Sequence, residues 1–213
     1  MRAWLDRLIG RPAGDDPAAF AGFLGRQAAF VAQKTVIDYC RVKAGRNERH
    51  TFADPDFAAA LAHCRWQTYA AAVADVLALA EAWLRPTVPG REAALAAALS
   101  AIGTRLLAEA DAPAAERPAL DAVADSLARI LMLRQDQPPL PADRLPLSAE
   151  APLLATLPIH PDQRRGETPA IRGALRFHIV TTQQEMERAF APAALARRLI
   201  SHDSARAATT EAA

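Results

Sequence analysis

The sequence predicts an all-α protein: a four-helix up-and-down bundle core, completed by an extended Pro-rich strap and one or two C-terminal helices packed on it. Three observations carry this. The hydrophobic fraction is 51% and much of it is alanine, which favours closely packed helices over sheets of β-branched residues. Long segments repeat apolar residues at helical spacing, and their ends carry helix-cap chemistry. The joins between the first four segments are short, which makes neighbours antiparallel. The 213 residues read as a single domain (1–213), with the bundle core at 16–134, the strap at 135–168 and C-terminal helices at 169–200.

Residues 2–9 are expected to form a short amphipathic helix, with Trp4, Leu5, Leu8 and Ile9 on one side. It would dock on the main body or touch a membrane surface through residues 1–11. Its charges, Asp6 and Arg7, interrupt any signal-peptide core. Pro12 and Gly14 then break the chain.

A long helix follows from Asp16, as N-cap, with Pro17 in its first turn and Gly45 just past its end. Phe20, Phe23, Leu24, Phe30, Val31, Ile37 and Val42 share a broad face on the helical wheel, and Gln27, Lys34, Asp38 and Arg41 fall inside the same arc. This polar ladder is the most informative feature of the chain. A polar loop, Arg46–Ala53, leads to a second Asp-Pro entry, Asp54–Pro55, and a helix to about Arg85, where Pro86 stops it. Its apolar arc of Phe57, Leu61, Tyr69, Val73, Val76, Leu77, Leu79 and Trp83 also holds Arg65. In an antiparallel hairpin, level residues have numbers summing to about 100, which sets Arg65 and Tyr69 level with the ladder.

Residues 90–110 form a third helix striped by Leu95, Leu99, Ile102 and Leu106. Residues 118–134 form a fourth, striped by Leu120, Val123, Leu127 and Ile130/Leu131. The strap DQPPLPADRLPLSAEAP holds five prolines and should run extended. A turn of helix is expected at Leu153–Leu157, and a helix from Pro169 capped by Thr168, with Ile171, Leu175, His178, Met186 and Phe190 on one side. FHIVTT within it has strand-like composition, leaving 171–182 between helix and strand. A last helix covers Pro192–Ile200, and the tail 203–213 is expected to be disordered.

The functional expectations follow from charge and spacing. Net charge is +1, so no basic field points to nucleic acid. Without a long uncharged apolar run, no transmembrane helix is predicted, and cytoplasmic placement is the expectation. Cys40 and Cys64 form no disulfide framework or CxxC pair. His50, Asp54, Asp56 and His63 lack metal-ligand spacing, so neither metal nor cofactor is expected. Ser201, His202 and Asp203 are consecutive and point apart, and no nucleophile elbow, phosphate loop or dinucleotide fingerprint occurs. Thus no catalytic residue is assigned and an enzyme is not favoured.

The leading reading is a non-catalytic interaction protein that binds a protein partner, or a second copy of itself, through a bundle groove. The alternative is a small-anion site for carboxylate or phosphate at Gln27, Lys34, Asp38, Arg41, Arg65 and Tyr69, extending to an atypical hydrolase. It rests on a count: Lys34, Arg41 and Arg65 against Asp38 leave two positive charges over, to be balanced by another acid, by water or by a ligand.

Overall fold

The computed structural model describes residues 14–211, with side chains as far as Ser204. The helix expected within residues 1–11 lies outside the described residues. The fold is all-α. Helix α1 (Pro17–Ala44) is followed by a 3-10 turn (Gly45–Asn47) and a short α2 (Glu48–Ala53), so the expected loop at 46–53 is helical. Phe52 explains this: its ring lies 5.3 Å from that of Phe57 and packs against the core, which draws the connection inward. Then come α3 (Pro55–Leu84), α4 (Glu92–Ala108), α5 (Arg117–Gln135), α6 (Glu150–Thr156), α7 (Thr168–Ala189) and α8 (Pro192–Glu211).

Both Asp-Pro entries act as read. Asp16 accepts hydrogen bonds from the N–H groups of Ala18 and Ala19, and Asp54 from that of Phe57 at 2.9 Å, satisfying donors that a helix start leaves open. Gly45 closes α1 with φ at 51°, a conformation that favours glycine. The segment 171–182 is helix. Ile171, Leu175, Ile179, Thr182 and Met186 are buried along one side of α7, and that tertiary stripe overrides the local β propensity. The last helix continues to Glu211, past the expected loss of order at 203, as its alanine-rich composition favours.

α3 is the centre of the fold. It packs against α1, α4, α5, α6, α7 and α8, and every residue from Ala70 to Glu81 is buried. A helix apolar on all sides belongs at a core rather than on a bundle's flank. α4 approaches closely at Gly103, where a Cβ would lie 2.3 Å from Leu77 Cδ1 and 2.6 Å from Leu127 Cδ1.

The strap is part of the core. Ala142, Leu145 and Ala149 are at most 1% exposed. Arg176 donates to the carbonyls of Ala142 and Leu145, Gln183 accepts from the Ala142 N–H at 3.0 Å, and Arg134 donates to the Pro146 carbonyl at 2.8 Å. Beside a turn in which Arg144 and Leu145 donate to the Pro141 carbonyl, the strap thus has several of its backbone polar groups met by side chains.

Candidate functional site

The buried arc of α1 takes in Phe20, Phe23, Leu24 and Val31 of the face drawn through its large side chains, but is rotated from it. Phe30 is 41% exposed and Val42 78% exposed, while Ala21, Ala28, Ala32, Thr35 and Val36 are buried. The contact with α3 therefore lies roughly a quarter turn away from the ladder. Alanines carry it, because a small side chain lets two helix axes approach.

The ladder consequently sits on one flank of α1, under α7. Gln27 donates to Glu185 at 2.5 Å and accepts from Thr182 at 3.1 Å. Lys34 pairs with Asp38 at 2.7 Å, both side chains nearly half exposed. Arg41 turns to Glu48 at 3.1 Å, with Asp38 farther off at 4.0 Å. Beyond them Glu167 accepts from Tyr39 at 2.6 Å and from Lys43 at 2.9 Å; burial, then this bond, push the Tyr39 phenol pKa up. Of the two surplus charges, Arg41 is thus met by Glu48. His178 lies at the edge of this groove, with its Nδ1 buried and without a hydrogen-bond partner. Burial holds its pKa down, against the field of Asp38.

Arg65 and Tyr69 do not join the ladder. The axial level is as expected, since Ala29, Ala32 and Gln33 of α1 stand opposite them. The direction is not: those residues lie on the far flank of α1 from Lys34 and Asp38. No ion pair links Arg65 to Asp38 among the described residues. The expected single cluster is therefore two separate places, because helix rise sets level whereas packing sets rotation.

A cavity of about 420 Å³ lies on this second flank. Gln33, Arg65, Trp66, Tyr69 and Asp111 line it, over a floor of Ala29, Ala32, Ala62 and Ala110. The rings of Trp66 and Tyr69 meet edge to face at 5.7 Å, and burial raises the Tyr69 pKa. The Nε of Arg65 is buried with no hydrogen-bond partner. Glu116 is occupied by His63 at 2.8 Å and Gln67 at 2.9 Å. Arg117 donates to the carbonyls of Leu107 at 2.8 Å and Ala110 at 2.6 Å, which holds Asp111 at the rim. An arginine fork, two aromatic rings and an apolar floor have the chemistry to pair with an anion that carries a hydrophobic body.

Comparison with protein-family models, with curated proteins and with solved structures returned no match.

Two buried acids on α3 escaped the sequence reading. Asp75 and Glu81 are fully buried, Asp75 at the edge of the apolar arc drawn for this helix, five turns on from Phe57, and Glu81 just outside it. The usable signal was the run AAAVADVLALA around Asp75, apolar on every side. Asp75 accepts the N–H groups of Ser148 at 2.6 Å and Ala149 at 2.9 Å, capping α6 from across the core. Burial pushes its pKa from 3.8 up to about 6, although these N–H donors pull it down.

The thiols are poorly placed for nucleophilic chemistry. Cys40 and Cys64 are both 0% exposed. Burial pushes Cys40 up to about 12 and also raises Cys64, so the reactive thiolate is scarce at neutral pH. Among the described residues, no group of three or more His, Cys, Asp or Glu stands close enough to hold a metal ion, and no helix is long and apolar enough to cross a membrane.

Proposed function

We propose that this chain is a non-catalytic binding protein whose ligand is a small monocarboxylate with an aromatic or aliphatic body, held in the Arg65–Tyr69 cavity. The observation that carries the reading is Arg65, a half-buried guanidinium without an ion pair among the described residues, which lines a cavity with aromatic sides. Carboxylate suits the site better than phosphate. One cation faces Asp111 across the cavity, and a dianion would bring more negative charge than a single arginine offsets.

The test is titration of the full chain with benzoate and with inorganic phosphate, followed by calorimetry. Benzoate should saturate a single site and phosphate should bind more weakly. Arg65→Met should weaken benzoate binding tenfold or more, roughly the loss of one charge-assisted hydrogen bond. It should change folding stability by less than about 1 kcal/mol, because no ion pair is broken. Unchanged benzoate affinity in this variant, or severe loss of stability, would reject the reading.

A second reading is carried by the α1–α7 groove, a space of about 670 Å³ lined by Lys34, Asp38, Val42, Ala174 and His178. Phe30, Val42 and Phe177, the last 66% exposed, are among the large apolar side chains open to solvent here. The partner of this reading is a second copy of the chain. Under a two-fold axis, Lys34 and Asp38 of one copy would face Asp38 and Lys34 of the other, a self-complementary pattern. Sedimentation velocity over a wide concentration range tests it: association lost in Phe177→Ser supports the dimer, and a concentration-independent monomer excludes it.

A further inference from the structure

The cavity proposed above for a carboxylate holds a second charge that a simple carboxylate leaves unused. Arg65 and Asp111 both line it, one cation and one anion, and among the described residues neither belongs to an ion pair. On Arg65 only Nε is sealed in the wall without a partner, so the two Nη groups at the end of the fork are open to a ligand. Asp111 is exposed at the rim, three residues past the end of α4. The cation nearest to it in sequence, Arg117, gives its Nη groups to the carbonyls of Leu107 and Ala110. Gln33, also exposed, adds a carboxamide to the same lining.

Opposite charges at one small cavity select a ligand that carries both signs. A monocarboxylate pairs with Arg65 but brings its charge toward Asp111, which opposes it. An ammonium group beside the carboxylate turns that opposition into a second ion pair. The ligand's net charge is then zero, as is the sum of Arg65 and Asp111. An α-amino acid carries this pair of groups on one carbon. Its carboxylate suits the planar fork of arginine, and its ammonium has three donors for Asp111 and the Gln33 side-chain oxygen. The body is set by the walls. Trp66 and Tyr69 meet edge to face above the alanine floor, and a third ring can extend such an arrangement. A cavity of about 420 Å³ is near the lower end of small-ligand sites, roughly 300–1,000 Å³, which suits one free amino acid. A peptide is disfavoured further, because it divides the ammonium and the carboxylate between its two ends.

We infer that the Arg65–Tyr69 cavity takes a free aromatic α-amino acid as its zwitterion, the carboxylate on Arg65, the ammonium on Asp111 and the ring against Trp66 and Tyr69. This inference rests on the carboxylate reading of the same cavity and narrows it to ligands that also carry an α-amine.

L-Phenylalanine, 3-phenylpropionate and 2-phenylethylamine share a ring and chain and differ in the charges they carry. Each is titrated by calorimetry into the full chain and into Asp111→Asn, which replaces an exposed side chain by a neutral one of its shape. The parent protein should bind phenylalanine about fivefold more tightly than 3-phenylpropionate, the upper range for one exposed ion pair. It should also prefer phenylalanine to 2-phenylethylamine. In Asp111→Asn phenylalanine should bind more weakly and 3-phenylpropionate more tightly, because the first loses a partner and the second an opposing charge. A purely structural role for Asp111 would move both affinities in one direction. Equal affinity for these two ligands, or changes of the same sign in Asp111→Asn, overturns the amino-acid inference and leaves the carboxylate reading standing. Saturation by neither of them overturns both. If 2-phenylethylamine binds as tightly as phenylalanine, the carboxylate contact at Arg65 is overturned.

Discussion

Gly103 and Asp75 act on the core in opposite ways. At Gly103 the absence of a side chain lets α4 approach α3 and α5, and a methyl group would collide with Leu77 and Leu127. Gly103→Ala should therefore lower stability by about 1–3 kcal/mol despite its better helix propensity, as urea unfolding would show. Asp75 adds polarity where the core is tightest. Its folded pKa, about 6, lies above its ordinary 3.8, so the native state holds a proton that the unfolded chain releases earlier. Stability from this group is full below about pH 4 and is lost as pH rises through about 6, a fall on the order of 3 kcal/mol. In Asp75→Asn that fall should disappear, so unfolding free energies of the two proteins at pH 4 and pH 7 should differ in slope. A parallel dependence in both would contradict the assignment.

At the scale of elements, the two Asp-Pro entries and the glycine at the end of α1 are local chemistry. Asp16→Ala and Asp54→Ala should each cost about 1 kcal/mol, measurable by thermal unfolding, and the losses should add because the caps share no partner. These ends were legible from sequence for that reason: a cap needs only its own neighbours. The rotation of α1 was not legible. The wheel weights Phe, Leu and Val, but Ala28 and Ala32 are buried as well, and an alanine looks alike on a buried face and on an exposed one. Gln27, Lys34, Asp38 and Arg41 were therefore set within an arc that they only flank. Arg65 was placed at the right level and on the wrong side. The acids missed on α3 share this cause, since one apolar arc was drawn for a helix buried all round.

Across the whole molecule, the strap joins elements distant in sequence. Arg176 on α7 holds carbonyls at Ala142 and Leu145, and Asp75 on α3 holds the start of α6. Arg176→Met should loosen residues 137–147 before the rest unfolds, raising limited-proteolysis cleavage there several-fold while the helical circular dichroism is kept. Cleavage unchanged from the parent protein would show that apolar burial at Leu145 alone secures the strap. The sequence by itself determined the all-α class, the limits of the long helices and the level at which the hairpin residues meet, because composition, caps and rise per residue are local properties. Only the tertiary structure decided that α3 is the hub, that Arg41 finds Glu48 while Arg65 opens onto a cavity, and that Asp75 and Glu81 are buried. Those outcomes depend on which face each helix turns to its neighbours, and packing across the whole core sets that rotation.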